Sequence, residues 1–128
     1  MNRKLAIGLC LALPLALAAP TAAPAAKAPA KVTVKTWFPF GGAGFWTGRV
    51  KSDANACQKE RFVEIYLRQG EENAIVGDGN TAKRGPGKWI YEIAAFEPDP
   101  GEYFAFAPPT PKCKRAESKI FTYPDDLP

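Results

Sequence analysis

Apolar and polar residues alternate through residues 61–68. Val63, Ile65 and Leu67 fall on one side, and Glu64, Tyr66 and Arg68 on the other. A repeat of two is the signature of a half-buried strand. The same alternation predicts a first strand over Lys31 to Trp37. It predicts another over Phe45 to Lys51, with Trp46, Gly48 and Val50 on one face. Ala74 to Gly77 reads as a short strand, and Lys88 to Ala95 as one that sets Trp89, Tyr91 and Ile93 together. Glu102 to Ala107 points Tyr103, Ala105 and Ala107 away from Glu102, Phe104 and Phe106, and Ala116 to Tyr123 makes the last strand. Between these runs lie turn residues: Gly41-Gly42-Ala43-Gly44, Ser52 to Asn55, Gln69 to Asn73, Asp78-Gly79-Asn80, Gly85-Pro86-Gly87 and Pro98-Asp99-Pro100-Gly101. No stretch carries a useful helical period. About seven short strands, each with one apolar face to hide, are accommodated by two stacked antiparallel sheets. The fold class predicted is therefore all-β, a small antiparallel β-sandwich, with a barrel of five or six strands as the alternative.

The two ends follow a different pattern. Met1-Asn2-Arg3-Lys4 is basic, Leu5 to Leu17 is apolar, and Ala16-Leu17-Ala18 offers small residues at a cleavage position. This order predicts a signal peptide over 1–18. A membrane anchor is the rival reading, but the apolar run is short for a bilayer core of about 30 Å. Cys10 reads as one more apolar residue of the leader. Residues 19–31, almost wholly Ala, Pro and Lys, predict a flexible extended tether, or else a wall-associated spacer. The sandwich domain is expected over 32–123, with a loose polar tail over 124–128.

Composition then narrows the chemistry. The chain of 128 residues suits one domain and has no histidine, which removes the commonest general base and metal ligand. Its net charge is +4, reduced to about +2 once Arg3 and Lys4 leave with the signal peptide, too weak to argue for nucleic acid. Cys57 and Cys113 in an exported chain predict a disulfide worth roughly 4 kcal/mol in the chain-entropy model. A reactive thiol pair would need a neighbouring base or closer spacing. No cofactor and no metal site is expected.

Three kinds of residue are candidates for function. Glu92, Glu97, Asp99 and Glu102 could supply a carboxylate pair for glycoside hydrolysis, although solvated surface charge explains them as well. Asp78-Gly79-Asn80 lacks the further ligands of a calcium loop and reads as a turn. The aromatic residues carry more information. Trp37, Phe38, Phe40, Phe45 and Trp46 flank a Gly-rich turn, and Phe104 and Phe106 point outward on their strand. Exposed together, Trp37, Phe40, Phe45, Phe104 and Phe106 would make an apolar interaction patch or a sugar platform. Otherwise they fill the sandwich or its end.

The series Phe45-x-Thr47-Gly48-x-Val50-x-Ser52, Cys57, Arg61-x-Val63-x-Ile65, Gly87-Lys88-Trp89, Gly101-Glu102-Tyr103-x-Ala105 and Cys113 resembles the prealbumin-like, or carboxypeptidase regulatory-like, β-sandwich modules of exported bacterial proteins. The resemblance covers Phe45 to Tyr123 and implies an immunoglobulin/prealbumin-like sandwich, with Arg61 projecting outward as a solvated charge. It also implies a non-catalytic accessory, spacer or recognition role at the cell envelope, secreted or periplasmic. The expected partner is an envelope protein or polysaccharide. The protein would be a monomer that binds no nucleic acid and keeps no membrane segment after cleavage. The alternative is a small secreted hydrolase, or a hydrolase inhibitor, using surface carboxylates or a loop.

Overall fold

The computed structural model describes residues 26–40, of Phe40 the backbone alone, and 43–127. The predicted signal peptide, most of the tether and Gly41-Gly42 of the first turn lie outside the described residues. Ten strands follow in order: β1 Lys31–Val32, β2 Lys35–Phe40, β3 Ala43–Lys51, β4 Phe62–Gln69, β5 Glu72–Asn80, β6 Ala82–Lys83, β7 Trp89–Phe96, β8 Gly101–Ala107, β9 Ala116–Glu117 and β10 Phe121–Tyr123. A 3-10 turn, Asn55–Cys57, precedes β4. The strands form two antiparallel sheets. One runs β1-β3-β7-β6 with β2 also on β3, and the other runs β10-β8-β4-β5 with β9 also on β8. This is the predicted sandwich.

The inward positions are those that alternation marks. Trp46, Val50, Tyr91 and Ile93 from the first sheet meet Val63, Ile65, Tyr103, Ala105 and Phe121 from the second. The Trp46 ring stands 4.4 Å from that of Tyr103 and 6.0 Å from that of Phe121. Cys57 and Cys113 close the disulfide, with Sγ–Sγ 2.02 Å, and both are buried.

Several boundaries differ from the sequence reading, each for a local reason. The first predicted strand is broken at Thr33–Val34. There the chain crosses close over Gly48, where an added Cβ would stand 1.9 Å from the Thr33 carbonyl oxygen. That carbonyl accepts a hydrogen bond from the Tyr91 hydroxyl. Asp78-Gly79-Asn80 is not a turn but the end of β5, paired with Glu64, Val63 and Phe62. Its glycines serve packing: a Cβ at Gly77 would meet Ile93 at 2.6 Å and one at Gly79 at 3.2 Å. Past Asn80 the chain passes from the second sheet to the first through buried Thr81 and becomes β6.

The last predicted strand is two, β9 and β10, which lie along β8 with a one-residue slip between them. The end of the expected tether is also tied down. Ala28 N–H donates to Lys112 O at 3.0 Å, Ala28 O accepts from Lys114 N–H at 2.9 Å, and the Ser52 hydroxyl donates to Pro29 O at 2.8 Å. The tail folds into a turn as well, since Asp126 N–H reaches Thr122 O at 2.7 Å and Asp126 Oδ2 accepts from Thr122 N–H at 2.6 Å.

Candidate functional site

The crossing at Thr33 leaves a depression on the outer face of the first sheet. Its volume is about 580 Å³, and its lining includes Lys35, Trp37, Thr47, Arg49, Ile90 and Glu92. The strand register explains this set. Lys35 lies opposite Thr47, which lies opposite Glu92; Trp37 lies opposite Phe45, which lies opposite Ala94; Arg49 lies opposite Ile90. Directly opposed residues share a face, so all of these project away from the core.

Trp37 is 55% exposed. Its ring stacks on that of Phe45 at 6.1 Å and 25°, which fixes the orientation of the indole and leaves its outer face free. The position depends on Gly44, because a Cβ there would stand 2.1 Å from the Trp37 carbonyl oxygen. A register shift between Trp37 and Phe40 follows, the kind of bulge that re-aims a side chain at a sheet edge.

Arg49 is the polar counterpart of Trp37. Its Nη2 donates to Gly87 O at the long distance of 3.4 Å, and its buried Nε has no acceptor among the described residues. Glu92 is engaged by Arg84 at 3.3 Å. Lys31 and Lys51, opposed on β1 and β3, extend the same face. Lys31, Lys35, Arg49 and Lys51 thus outnumber Glu92 and Asp53, which lies beside Lys31 and Lys51, and Glu92 already has a cation.

The structure does not gather the five predicted aromatic residues into one patch. Trp37 and Phe45 lie on the outer face of the first sheet, while Phe104 and Phe106 lie on the outer face of the second. Phe40 pairs its backbone with Ala43, and its side chain lies outside the described residues. Phe104 points outward as predicted yet is 6% exposed, because Tyr66 covers it at 5.2 Å with rings 8° from parallel. Phe106 sits under the Arg115 guanidinium, 5.0 Å from the ring centre. That second face is acidic: Glu64 is directly opposite Asp78, and Glu117 is opposite Phe106, itself opposite Glu64.

The carboxylates considered for hydrolysis are also held apart. Glu92 is on the first face, Glu102 is on the second and paired with Arg68 at 3.0 Å, and Glu97 and Asp99 lie in the loop after β7.

Arg61 overturns its reading as an outward solvated charge. It is 3% exposed, and its guanidinium donates to Cys57 O at 3.1 Å and to Pro108 O and Lys114 O at 2.9 Å each. Burial lowers its pKa from the ordinary arginine value, but a guanidinium remains charged in proteins. Its backbone N–H donates to Thr81 Oγ1 at 2.8 Å, and that hydroxyl donates to Gln58 O at 2.6 Å. Arg61 therefore ties the disulfide turn, the end of β8 and the sheet-crossing corner together. Alternation puts Arg61 on the same side as Val63, Ile65 and Leu67, but its charge argues for solvent, and the carbonyls that receive it come from segments that local pattern does not connect.

Among the described residues no helix is long and apolar enough to cross a membrane. Comparison with family models, with curated proteins and with solved structures finds no match to the chain.

Proposed function

We propose that this chain is an exported, non-catalytic β-sandwich module that acts by recognition at the cell envelope, secreted or periplasmic. In this reading the outer face of its first sheet is the binding surface. Export is supported by the leader-like start of the sequence and by the buried Cys57–Cys113 disulfide, since such bonds persist in oxidising compartments. The two-sheet fold is what the resemblance to prealbumin-like modules requires. The observation that carries recognition is the half-exposed Trp37 indole, braced by Phe45 beside the depression. An immobilised aromatic residue of this kind loses little conformational freedom on binding, and such residues dominate recognition surfaces.

The test is retention of the purified, oxidised protein on isolated cell envelopes. Saturable retention is expected, reduced at least tenfold by Trp37→Ala and unaffected by Arg68→Gln on the opposite face. Equal retention of the Trp37→Ala protein would remove the first sheet as the binding surface. Recovery of the chain with a reduced Cys57–Cys113 pair from the cytoplasm would remove export.

A further inference from the structure

We infer that the depression beside Trp37 takes a polyanionic glycan, a chain of sugar rings bearing carboxylate or sulfate groups. This rests on the reading of the first sheet as a recognition face and names the chemistry of what it recognises.

Three observations converge on that occupant. The first is shape. About 580 Å³ of open depression accommodates a short run of sugar rings lying along a sheet. Strands β2, β3 and β7 all contribute to its lining. The second is the aromatic wall. Trp37 presents one face of a fixed indole, to which the apolar C–H face of a sugar ring is complementary, while the ring's hydroxyls remain directed to water and to polar neighbours. The third is charge. Lys35 borders the depression on β2 and Arg49 on β3, and Lys31 and Lys51 continue the same sign along the face.

Arg49 is the decisive residue. A guanidinium has five N–H donors in a planar fork that matches a carboxylate or sulfate. Here one donor meets a carbonyl at 3.4 Å and buried Nε meets no acceptor among the described residues. The terminal nitrogens of the fork hold only that one long contact among the described residues and can meet an incoming anion. Glu92 does not compete for that role, because Arg84 holds it. A neutral glycan would use the indole and leave the arginine unmatched. An acidic protein or an anionic lipid surface would use the charges without needing a fixed ring beside them.

The second sheet's outer face supplies the contrast. Tyr66, Phe104 and Phe106 there stack on each other or lie under Arg115, leaving Phe62 as the exposed ring of that strand, and Glu64, Asp78 and Glu117 line up along one cross-strand row. A polyanion is repelled there, so binding is expected on one face of the sandwich only.

The experiment measures binding of the oxidised protein to polygalacturonate, heparin, neutral dextran, polyglutamate and vesicles of anionic lipid by calorimetry at two ionic strengths. Polygalacturonate or heparin is expected to bind at least tenfold more tightly than dextran, polyglutamate or vesicles. Whichever of the two binds more tightly identifies carboxylate or sulfate as the preferred group. Raising the salt weakens that binding, because exposed charges are screened. Trp37→Ala is expected to lower the affinity at least tenfold, and Lys35→Gln with Arg49→Gln to bring the acidic glycan down to the dextran level. Arg68→Gln changes nothing, and thermal denaturation confirms that each variant is folded.

Equal affinity for dextran would overturn the role of charge. Equal affinity for polyglutamate or vesicles would overturn the role of the sugar, and unchanged binding by the Trp37→Ala protein would overturn the site. If no glycan binds while Trp37-dependent envelope retention persists, the glycan inference falls and the recognition reading stands. If retention is absent too, both fall.

Discussion

Arg61 and Arg49 carry the same planar fork of donors into two unlike surroundings. Arg61 lies where three irregular segments end, the turn at Cys57, the exit of β8 at Pro108 and the loop at Lys114. It donates to the carbonyls of all three. Arg49 lies in the middle of a sheet, where the carbonyls around it are already used by strand pairing. Among the described residues its guanidinium reaches one carbonyl, Gly87 O, from a loop. Backbone topology, more than residue type, therefore decides whether a cation is structural or free to bind. Converging loop ends supply acceptors to both terminal nitrogens of Arg61, whereas the ladder around Arg49 leaves its terminal nitrogens one long contact; Nε of each meets no acceptor among the described residues. The donors that a ladder leaves over are the ones available to something from outside.

The severest way to test the structural half of that contrast is to remove the disulfide on which Arg61 leans. The Cys57→Ala, Cys113→Ala protein is expected to lose about 4 kcal/mol, since the bond closes a loop of more than fifty residues. Urea denaturation measures it. Because Cys57 O is an acceptor of Arg61, the loss should couple to Arg61→Met by about 0.5 kcal/mol or more. Coupling of the same size to Arg49→Gln would mean that the two arginines do not differ as described.

Arg61→Met alone is expected to cost about 3 kcal/mol, because three carbonyls lose charged donors in a site from which water is excluded. Arg61→Lys is not expected to restore stability. An ammonium cannot span three acceptors that a fork reaches from one plane. A loss below about 1 kcal/mol would place the guanidinium in solvent, as the sequence alone suggested.

That failure shows what was legible. The sheet-forming runs were, because alternation at Val63, Ile65 and Leu67 or at Trp89, Tyr91 and Ile93 reports burial directly. The disulfide was legible as well, since both cysteines of the domain had one use. Arg61 was not, because its acceptors come from residues four, forty-seven and fifty-three positions away along the chain. Glycine was misread for a related reason. In Asp78-Gly79-Asn80 it signals a turn by local rules, whereas here Gly77 and Gly79 make room for Ile93 of another strand. On the candidate face, Trp37 and Phe45 could be named from sequence, but their separation from Phe104 and Phe106 follows only from which sheet each strand joins.

A smaller effect probes the crossing that shapes the depression around Arg49. Burial pushes the Tyr91 hydroxyl well above the ordinary tyrosine range, and the hydroxyl donates to Thr33 O. Below pH 10.0, the ordinary value, Tyr91 is neutral folded or unfolded and adds no pH dependence. Above it the unfolded chain releases a proton that the folded chain keeps. Stability therefore falls as pH rises, by up to about 1.4 kcal/mol per unit from this residue. Tyr91→Phe is expected to cost about 1 kcal/mol at neutral pH and to flatten the alkaline decline. Part of the decline remains with Tyr103, whose hydroxyl is also shifted upward by burial and then by Asp99. Urea titrations at pH 8 and above read both quantities. An unchanged alkaline slope would show that the Tyr91 ring is open to solvent.

The smallest expected effect bears hardest on the contrast. Arg49→Gln should leave stability within about 0.5 kcal/mol of the parent, a shift in melting temperature of a few degrees at most. Arg49 gives the folded chain a single long hydrogen bond at 3.4 Å and leaves buried Nε unpaired, so replacing it removes one weak contact together with one unsatisfied donor. These contributions oppose each other, which is why the sum is near zero and could be slightly favourable. A loss of about 2 kcal/mol, the size expected when a charged group gives up a good hydrogen bond, would make Arg49 a second structural clamp. The face beside Trp37 would then hold no donor to spare for an anion.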